Sequence, residues 1–234
     1  MRPYDPARIV IGLHIPKCAG SSMKRILREW FGHQMHWHYF DELNNRGPTR
    51  YRATPLHRAL RHLTGYNTCI YGHFNRARGF GVESYYPEAT QYFTVVRDPL
   101  NTTLSRYFAA KSLGERRMRA GTPTPISAQY PSLNDFVADQ IDQPYFANYL
   151  PGPMTLENYT EILARHFVYI GIAEDLQTSV DHLAARLGFA SIMAPHINQS
   201  IHDEQLSPEI KEAFVTARPL EYAIYKYAVE HYRE

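Results

Sequence analysis

Arg8–Phe31, RIVIGLHIPKCAGSSMKRILREWF, decides the fold, because it reads as a buried strand, a Gly/Ser loop and a helix joined without slack. Ile9, Val10, Ile11 and Leu13 form a short apolar, β-branched run of the kind buried on both faces of a parallel sheet. Pro16 stops it. From Ser21 onward Met23, Ile26, Leu27, Trp30 and Phe31 recur at helical spacing and mark one buried face. The loop is therefore Ile15 to Gly20. Amides that open a helix have no intrahelical acceptor, and the helix dipole favours negative charge there, so the junction is a candidate anion site. Ser21 and Ser22 add hydroxyls, and Lys17 adds a mobile cation.

Two common phosphate-loop spellings do not fit. G-x-x-x-x-G-K-[ST] needs Gly directly before Lys, whereas Pro16 precedes Lys17. A cysteine phosphatase needs Arg six positions after Cys, and that position after Cys18 is Lys24. What remains is Pro-Lys-x-x-Gly-Ser-Ser. A strand–turn–helix that binds nothing is the plain alternative.

A chain of 234 residues suits a single domain, 1–234, with a full core. Hydrophobic residues at 44% and charged residues at 21% describe an ordinary soluble protein. No apolar run reaches the length of a membrane span, and Met1–Ala7 is too short and polar for a signal peptide. A reducing cytoplasm is the expectation, and Cys18 and Cys69 agree with it. Cys18 reads as a small loop residue in preference to an activated thiol.

The net charge of +2 conceals an uneven distribution. No acid falls between Glu42 and Glu83, yet Arg46, Arg50, Arg52, Arg58, Arg61, Arg76 and Arg78 all do. Arg116, Arg117 and Arg119 form a second cluster. An anionic ligand on one side of the molecule is one reading and a solvated basic face the other. No helix-turn-helix, zinc-finger or RNA-binding signature accompanies the charge, which disfavours nucleic acid.

Gly32–Gly65 is polar and broken by Gly47-Pro48 and Pro55, so the expectation there is a loop with a short helix near Leu56–Leu63. His33, His36 and His38 lack a Cys or carboxylate at ligand spacing, which disfavours a metal. Thr68–Gly72 reads as a second strand that delivers His73 to its carboxyl end, where open α/β sheets bind ligands. Gln91–Val96 is a third, followed by Arg97-Asp98-Pro99, with Asp98 an N-cap and Pro99 the first helical residue. Asn101 and Ser105 lie four apart beside the inner stripe of that helix. A guanidinium with a nearby hydroxyl suits a phosphate dianion, and taken alone the segment also allows Arg97 to pair with Asp98 or a neighbouring helix.

Later elements follow from the same signals. Gly114–Pro131 reads as a mobile loop and an acceptor wall, Leu133–Gln140 and Leu156–His166 as helices, and Phe167–Ile172 as a buried strand. A helix from Leu176 closes at Gly188, Ala194–Ser200 is loop, Ser207-Pro208-Glu209 opens another helix, and Leu220–Tyr232 is the last.

HIPKCAGSS and VVRDPLNTTLSRY together resemble the two phosphate-binding segments of sulfotransferases that use 3′-phosphoadenosine 5′-phosphosulfate (PAPS). The flavour is that of the carbohydrate group that includes the heparan uronyl 2-O-sulfotransferases. The resemblance implies a P-loop-like three-layer α/β fold with a central, mainly parallel sheet flanked by helices. It places the 5′-phosphosulfate on Lys17, Cys18, Ala19, Gly20, Ser21, Ser22 and Met23, and the 3′-phosphate on Arg97 and Ser105. YGHF at Tyr71–Phe74 resembles the segment that carries the catalytic base, here His73. YIGIAEDL at Tyr169–Leu176 is similar to a late core strand and helix start. Ser200 is the expected late contact, though the chain continues Ile201-His202-Asp203-Glu204 where relatives often place Lys or Arg.

Sulfuryl transfer relies on positioning and electrostatics, so no covalent intermediate and no metal is expected. Lys17 would stabilise the departing oxygen and His73, near its ordinary pKa, would take the acceptor proton. The acceptor expected is a hydroxyl on a glycan or glycoconjugate, with the basic stretch favouring an anionic one. A Mg²⁺-ATP kinase and a non-catalytic anion-binding module are the rival classes.

Overall fold

The computed structural model describes residues 1–41, 44–56, 59, 67–119, 130, 132–195 and 204–234, with the backbone alone at 113–119. Its strands are β1 (Val10–Leu13), β2 (Met35–His38), β3 (Cys69–Gly72), β4 (Tyr92–Val96) and β5 (Phe167–Ile172). They form one parallel sheet in the order β2-β3-β1-β4-β5. All four residues of β1 are buried, as a central strand covered on both faces requires. From β1 the chain crosses to the edge strand β2, comes back to β3 beside β1, and then passes to β4 on the other side of β1. The carboxyl end of β1 is thus the switch point at which such sheets open a binding crevice.

The helices are α1 (Gly20–Phe31), α2 (Val82–Tyr85), α3 (Pro99–Arg119), α4 (Leu133–Asp139), α5 (Tyr159–His166), α6 (Leu176–Leu187), α7 (Pro208–Ala217) and α8 (Pro219–His231). α1 buries Met23, Ile26, Leu27 and Phe31 against the sheet, and α6 covers the same face with Val180, Leu183 and Leu187. Each such side chain taken out of water contributes roughly 1.5–3 kcal/mol. On the opposite face Leu163 of α5 and Ile224 and Ala228 of α8 pack over Ile11, Ile70, Phe167 and Ile170. The sheet is therefore the middle of three layers. α3, α4 and α7 share a further cluster around Tyr107, Phe136 and Phe214. Among the described residues no helix is long and apolar enough to cross a membrane.

Three segments differ from expectation. The stretch after Gly32, expected as loop, contains β2, an edge strand whose Met35 and His38 are buried and which pairs with β3. His36, Trp37 and His38 carry no apolar alternation, and pairing to a preformed neighbour outweighs that weak local signal. The expected loop at Gly114–Pro131 begins as helix, since α3 runs on to Arg119. Leu113, Glu115, Arg116, Arg117, Met118 and Arg119 are all good helix formers, and one internal Gly costs only about 1 kcal/mol. The rest of that loop, apart from Tyr130, most of the Leu56–Leu63 helix, and Arg58, Arg61 and Ser200 lie outside the described residues. α5 also starts later than expected, at Tyr159.

A buried ion pair at the start of α8 holds a neighbouring segment in place. Arg218 and Glu221 meet at 2.6 Å, with side chains 3% and 4% exposed. Glu221 accepts the Phe146 amide at 2.9 Å and the Tyr145 amide, while Arg218 donates to the Gln143 carbonyl at 2.6 Å and to that of Gln140. With these partners the pair locks the 140–146 segment onto the sheet layer.

Candidate functional site

The chain turns sharply after β1. Lys17 and Ala19 both have positive φ, 70° and 56°, a region that L-residues other than Asn and Asp rarely enter and that tends to mark functional turns. Cys18 N–H donates to Ile15 O at 3.2 Å, and Met23 N–H donates to Ala19 O at 3.0 Å. Met23 is the first paired amide of α1. The amides of Gly20, Ser21 and Ser22 have no acceptor among the described residues, so the helix presents its open end at the switch point.

The individual side chains divide into reachable and committed. Ser21 is exposed. Ser22 is buried and its hydroxyl donates to Pro195 O at 2.8 Å, so it meets a ligand only by giving up that bond. Met23 is a core side chain with its amide already used. Cys18 is buried, and burial pushes its thiol up to about 12, which makes it an inert packing residue. Burial, and then the neighbouring Arg97 charge, holds the Lys17 ammonium below its ordinary value.

Arg97 reaches this corner from the end of β4. Asp98 caps α3 by accepting the Asn101 amide at 2.8 Å, and its own amide donates to Glu174 Oε1 at 2.9 Å. Thr102, one turn in, faces the loop, with its hydroxyl oxygen 3.8 Å from Cys18 Sγ. Ser105 lies one turn further and is only 4% exposed. Among the described residues neither Lys17 nor Arg97 forms an ion pair, so Arg97 is paired neither with Asp98 nor with a described carboxylate of a neighbouring helix.

Beside the loop the strand ends form a second feature. Register sets Leu13 and His38 opposite Gly72, so His14, His73 and Tyr39 follow as neighbours across three strands. His14 N–H donates to Gly72 O at 2.8 Å and His73 N–H to His38 O at 3.0 Å, extending both ladders by one residue. The His73 ring centre is 4.4 Å from that of His14, 4.8 Å from that of Tyr39 and 6.0 Å from that of Tyr149. Its Nε2 is sealed from water without a partner. Burial first, and then the charges of Lys24 and Arg78, lower the His73 pKa to about 4. That is not the near-ordinary histidine expected from the sequence. It is neutral at pH 7 but a weaker base.

The basic stretch is also partly neutralised. Arg50 meets Glu88 at 3.0 Å and Arg76 meets Glu83 at 3.2 Å, acids just past the run. Arg78 lies over Phe40, 4.8 Å from the ring centre. A cavity of about 630 Å³ lined by Arg8, Ile9, Arg50, Tyr51, Tyr86 and Glu88 opens at the amino end of β1, opposite Lys17. Among the described residues no group of three or more His, Cys, Asp or Glu side chains is placed to hold a metal ion.

Several residues of the site escape a reading of the sequence. His14 and Tyr39 enter through strand register, which no local pattern encodes. Glu204 looked like a departure from a basic cofactor loop. Its carboxylate instead accepts the Tyr107 hydroxyl at 3.0 Å, Lys111 Nζ at 2.7 Å and the Leu133 amide at 3.0 Å, and so anchors the chain to α3 and α4.

No family model and no curated protein matches the chain. Fold and geometry define a class: a parallel α/β protein whose central strand ends, at the switch point, in a tight loop with open helix amides, with Lys17 and Arg97 within electrostatic reach of one another and the His14–His73 pair at the neighbouring strand ends.

Proposed function

We propose that the protein transfers the sulfuryl group of PAPS to an acceptor hydroxyl, on a glycan or glycoconjugate of anionic character. The observation that carries this reading is the cation corner. Lys17, in the loop after β1, and Arg97, just past β4, lie within electrostatic reach of one another beside open helix amides, and among the described residues neither is tied up in an ion pair. Drawing two like charges together is costly, and an anion with negative groups at two ends relieves both. Such a donor fits the residues present.

When bound, PAPS supplies the activated sulfuryl group. Lys17, the Gly20–Ser22 amides and the Ser21 hydroxyl would bind and orient its 5′ end, while Arg97 and Ser105 would hold the 3′-phosphate. Ser22 and Met23 support the turn by packing. His73 receives the acceptor proton on a ring nitrogen. The negative charge of a bound donor opposes the Lys24 and Arg78 charges and raises the basicity of His73 when the base is needed. The test is incubation of the purified protein with sulfur-labelled PAPS and a panel of hydroxyl acceptors. Label transfer that fails with Lys17→Ala supports the reading. No transfer to any acceptor, with no binding of the donor, contradicts it.

A further inference from the structure

His14 stands between the phosphate-type loop and the base. It is 9% exposed and touches both. Its Nδ1 lies 2.9 Å from the Tyr39 hydroxyl, and its ring stacks on Tyr71 at 5.2 Å with an interplanar angle of 12°. On the far edge a Cβ added to Gly20 would sit 1.7 Å from His14 Nε2, so the first residue of α1 rests directly on the imidazole. The third contact is the His73 ring. One side chain therefore touches both the first residue of α1 and the ring of His73.

We infer that His14 is a positioning residue, which holds the ring of His73 at a fixed distance from the helix end that would carry the donor. This rests on the sulfuryl-transfer reading for its chemistry but not for its geometry. His14 does not itself take the acceptor proton. Burial, followed by the charges of His73 and Lys24, keeps its pKa well below the ordinary value, and Gly20, Tyr39 and Tyr71 close it in. An uncharged ring bonded to Tyr39 gives the base a rigid polar wall that does not compete for the proton. Displacement of a reacting group by about 1 Å can cost up to a hundredfold in rate, so the wall matters.

The experiment pairs two readouts in His14→Asn and Tyr39→Phe. The first is titration of His73 by ¹H–¹³C NMR, which needs no turnover. His73 is faced by Lys24 from α1, Arg78 from the turn after β3, His14 and Tyr39 from the strand ends and Tyr149 from the 146–149 segment. Loss of the His14 ring admits water, so the His73 midpoint should move upward from about 4 toward the ordinary value near 6.5. The second is kinetics. For His14→Asn kcat should fall roughly tenfold to a hundredfold, while the Kd of adenosine 3′,5′-bisphosphate stays within about twofold. Tyr39→Phe removes only the hydroxyl on Nδ1 and should move both readouts the same way by less. It decides the matter if His14→Asn does not fold. An unmoved His73 titration in a folded variant overturns the inference. So does loss of nucleotide affinity at unchanged kcat, which would make His14 a support of the loop alone. A shifted titration in a protein that transfers no label sinks the sulfotransferase reading and leaves the positioning role standing.

Discussion

The Cys18 thiol and the Thr102 hydroxyl lie 3.8 Å apart in a buried seam, and through that contact the turn after β1 and the first turns of α3 are one structure. Two segments far apart in the chain, each unremarkable alone, thereby present Lys17 and Arg97 to the same space. The seam also says what Cys18 is for: it packs.

Thiol chemistry checks this. Cys18 and Cys69 are both free and buried, and burial raises both above the ordinary thiol range. Folded protein should give no measurable reaction with a chromogenic disulfide reagent at pH 8, and denatured protein should titrate both thiols. Rapid reaction of one native thiol would restore the activated-cysteine reading.

Gly20→Ala should be among the most damaging small substitutions in the loop. The new methyl group would meet the His14 ring, and crowding of a packed site typically costs 1–3 kcal/mol. The ring has Tyr39, Tyr71 and His73 around it and little room to retreat. Ser21→Ala, at an exposed position, should stay within about 0.5 kcal/mol. Urea melts of both variants provide the comparison, and equal stabilities would mean the loop gives way.

His38 should make stability depend on pH. Its ring is fully buried between Phe74, Tyr85 and Tyr86, neither ring nitrogen has a partner, and burial lowers its pKa to about 4. The folded state therefore binds its proton less readily than the unfolded chain. The sign follows: the contribution is complete above about pH 6.5 and is lost as pH falls toward 4, up to about 3 kcal/mol. His73 adds to the same trend. In His38→Phe the fall in Tm between pH 7 and pH 4 should shrink. A variant with an unchanged slope would show that His38 is not the group being titrated.

Arg218→Leu should lower stability by about 3–5 kcal/mol, because it leaves Glu221 charged and buried without its partner. For a chain of this size that corresponds to roughly 10 °C in Tm. The double variant Arg218→Leu/Glu221→Gln should recover part of the loss. No recovery would locate the cost in the Gln140 and Gln143 carbonyls that Arg218 also serves.

How far the sequence could be read depended on how local each signal was. β1, β4 and β5 announce themselves as apolar runs, and α6 ends at Gly188 as its residues suggest, with φ 78°. Arg97 and Asp98 could be placed because a strand end and an N-cap are both short-range features. β2 could not, since its His-rich residues take strand form through pairing with β3. Ser22 looked like a ligand-facing hydroxyl, and only the fold brings Pro195, 173 positions away, to accept its proton. His14 sat inside the deciding stretch and still went unread, because its importance depends on which residues the register sets beside it.

The central claim is that one corner holds a doubly phosphorylated adenosine at both ends, and calorimetric titration tests it most directly. Adenosine 3′,5′-bisphosphate should bind the native protein at least about tenfold more tightly than adenosine 5′-monophosphate, the worth of one charge-assisted contact. Arg97→Ala should abolish that preference while leaving the weaker ligand's affinity nearly unchanged. Equal binding of the two nucleotides by the native protein, or no binding of either, would contradict it.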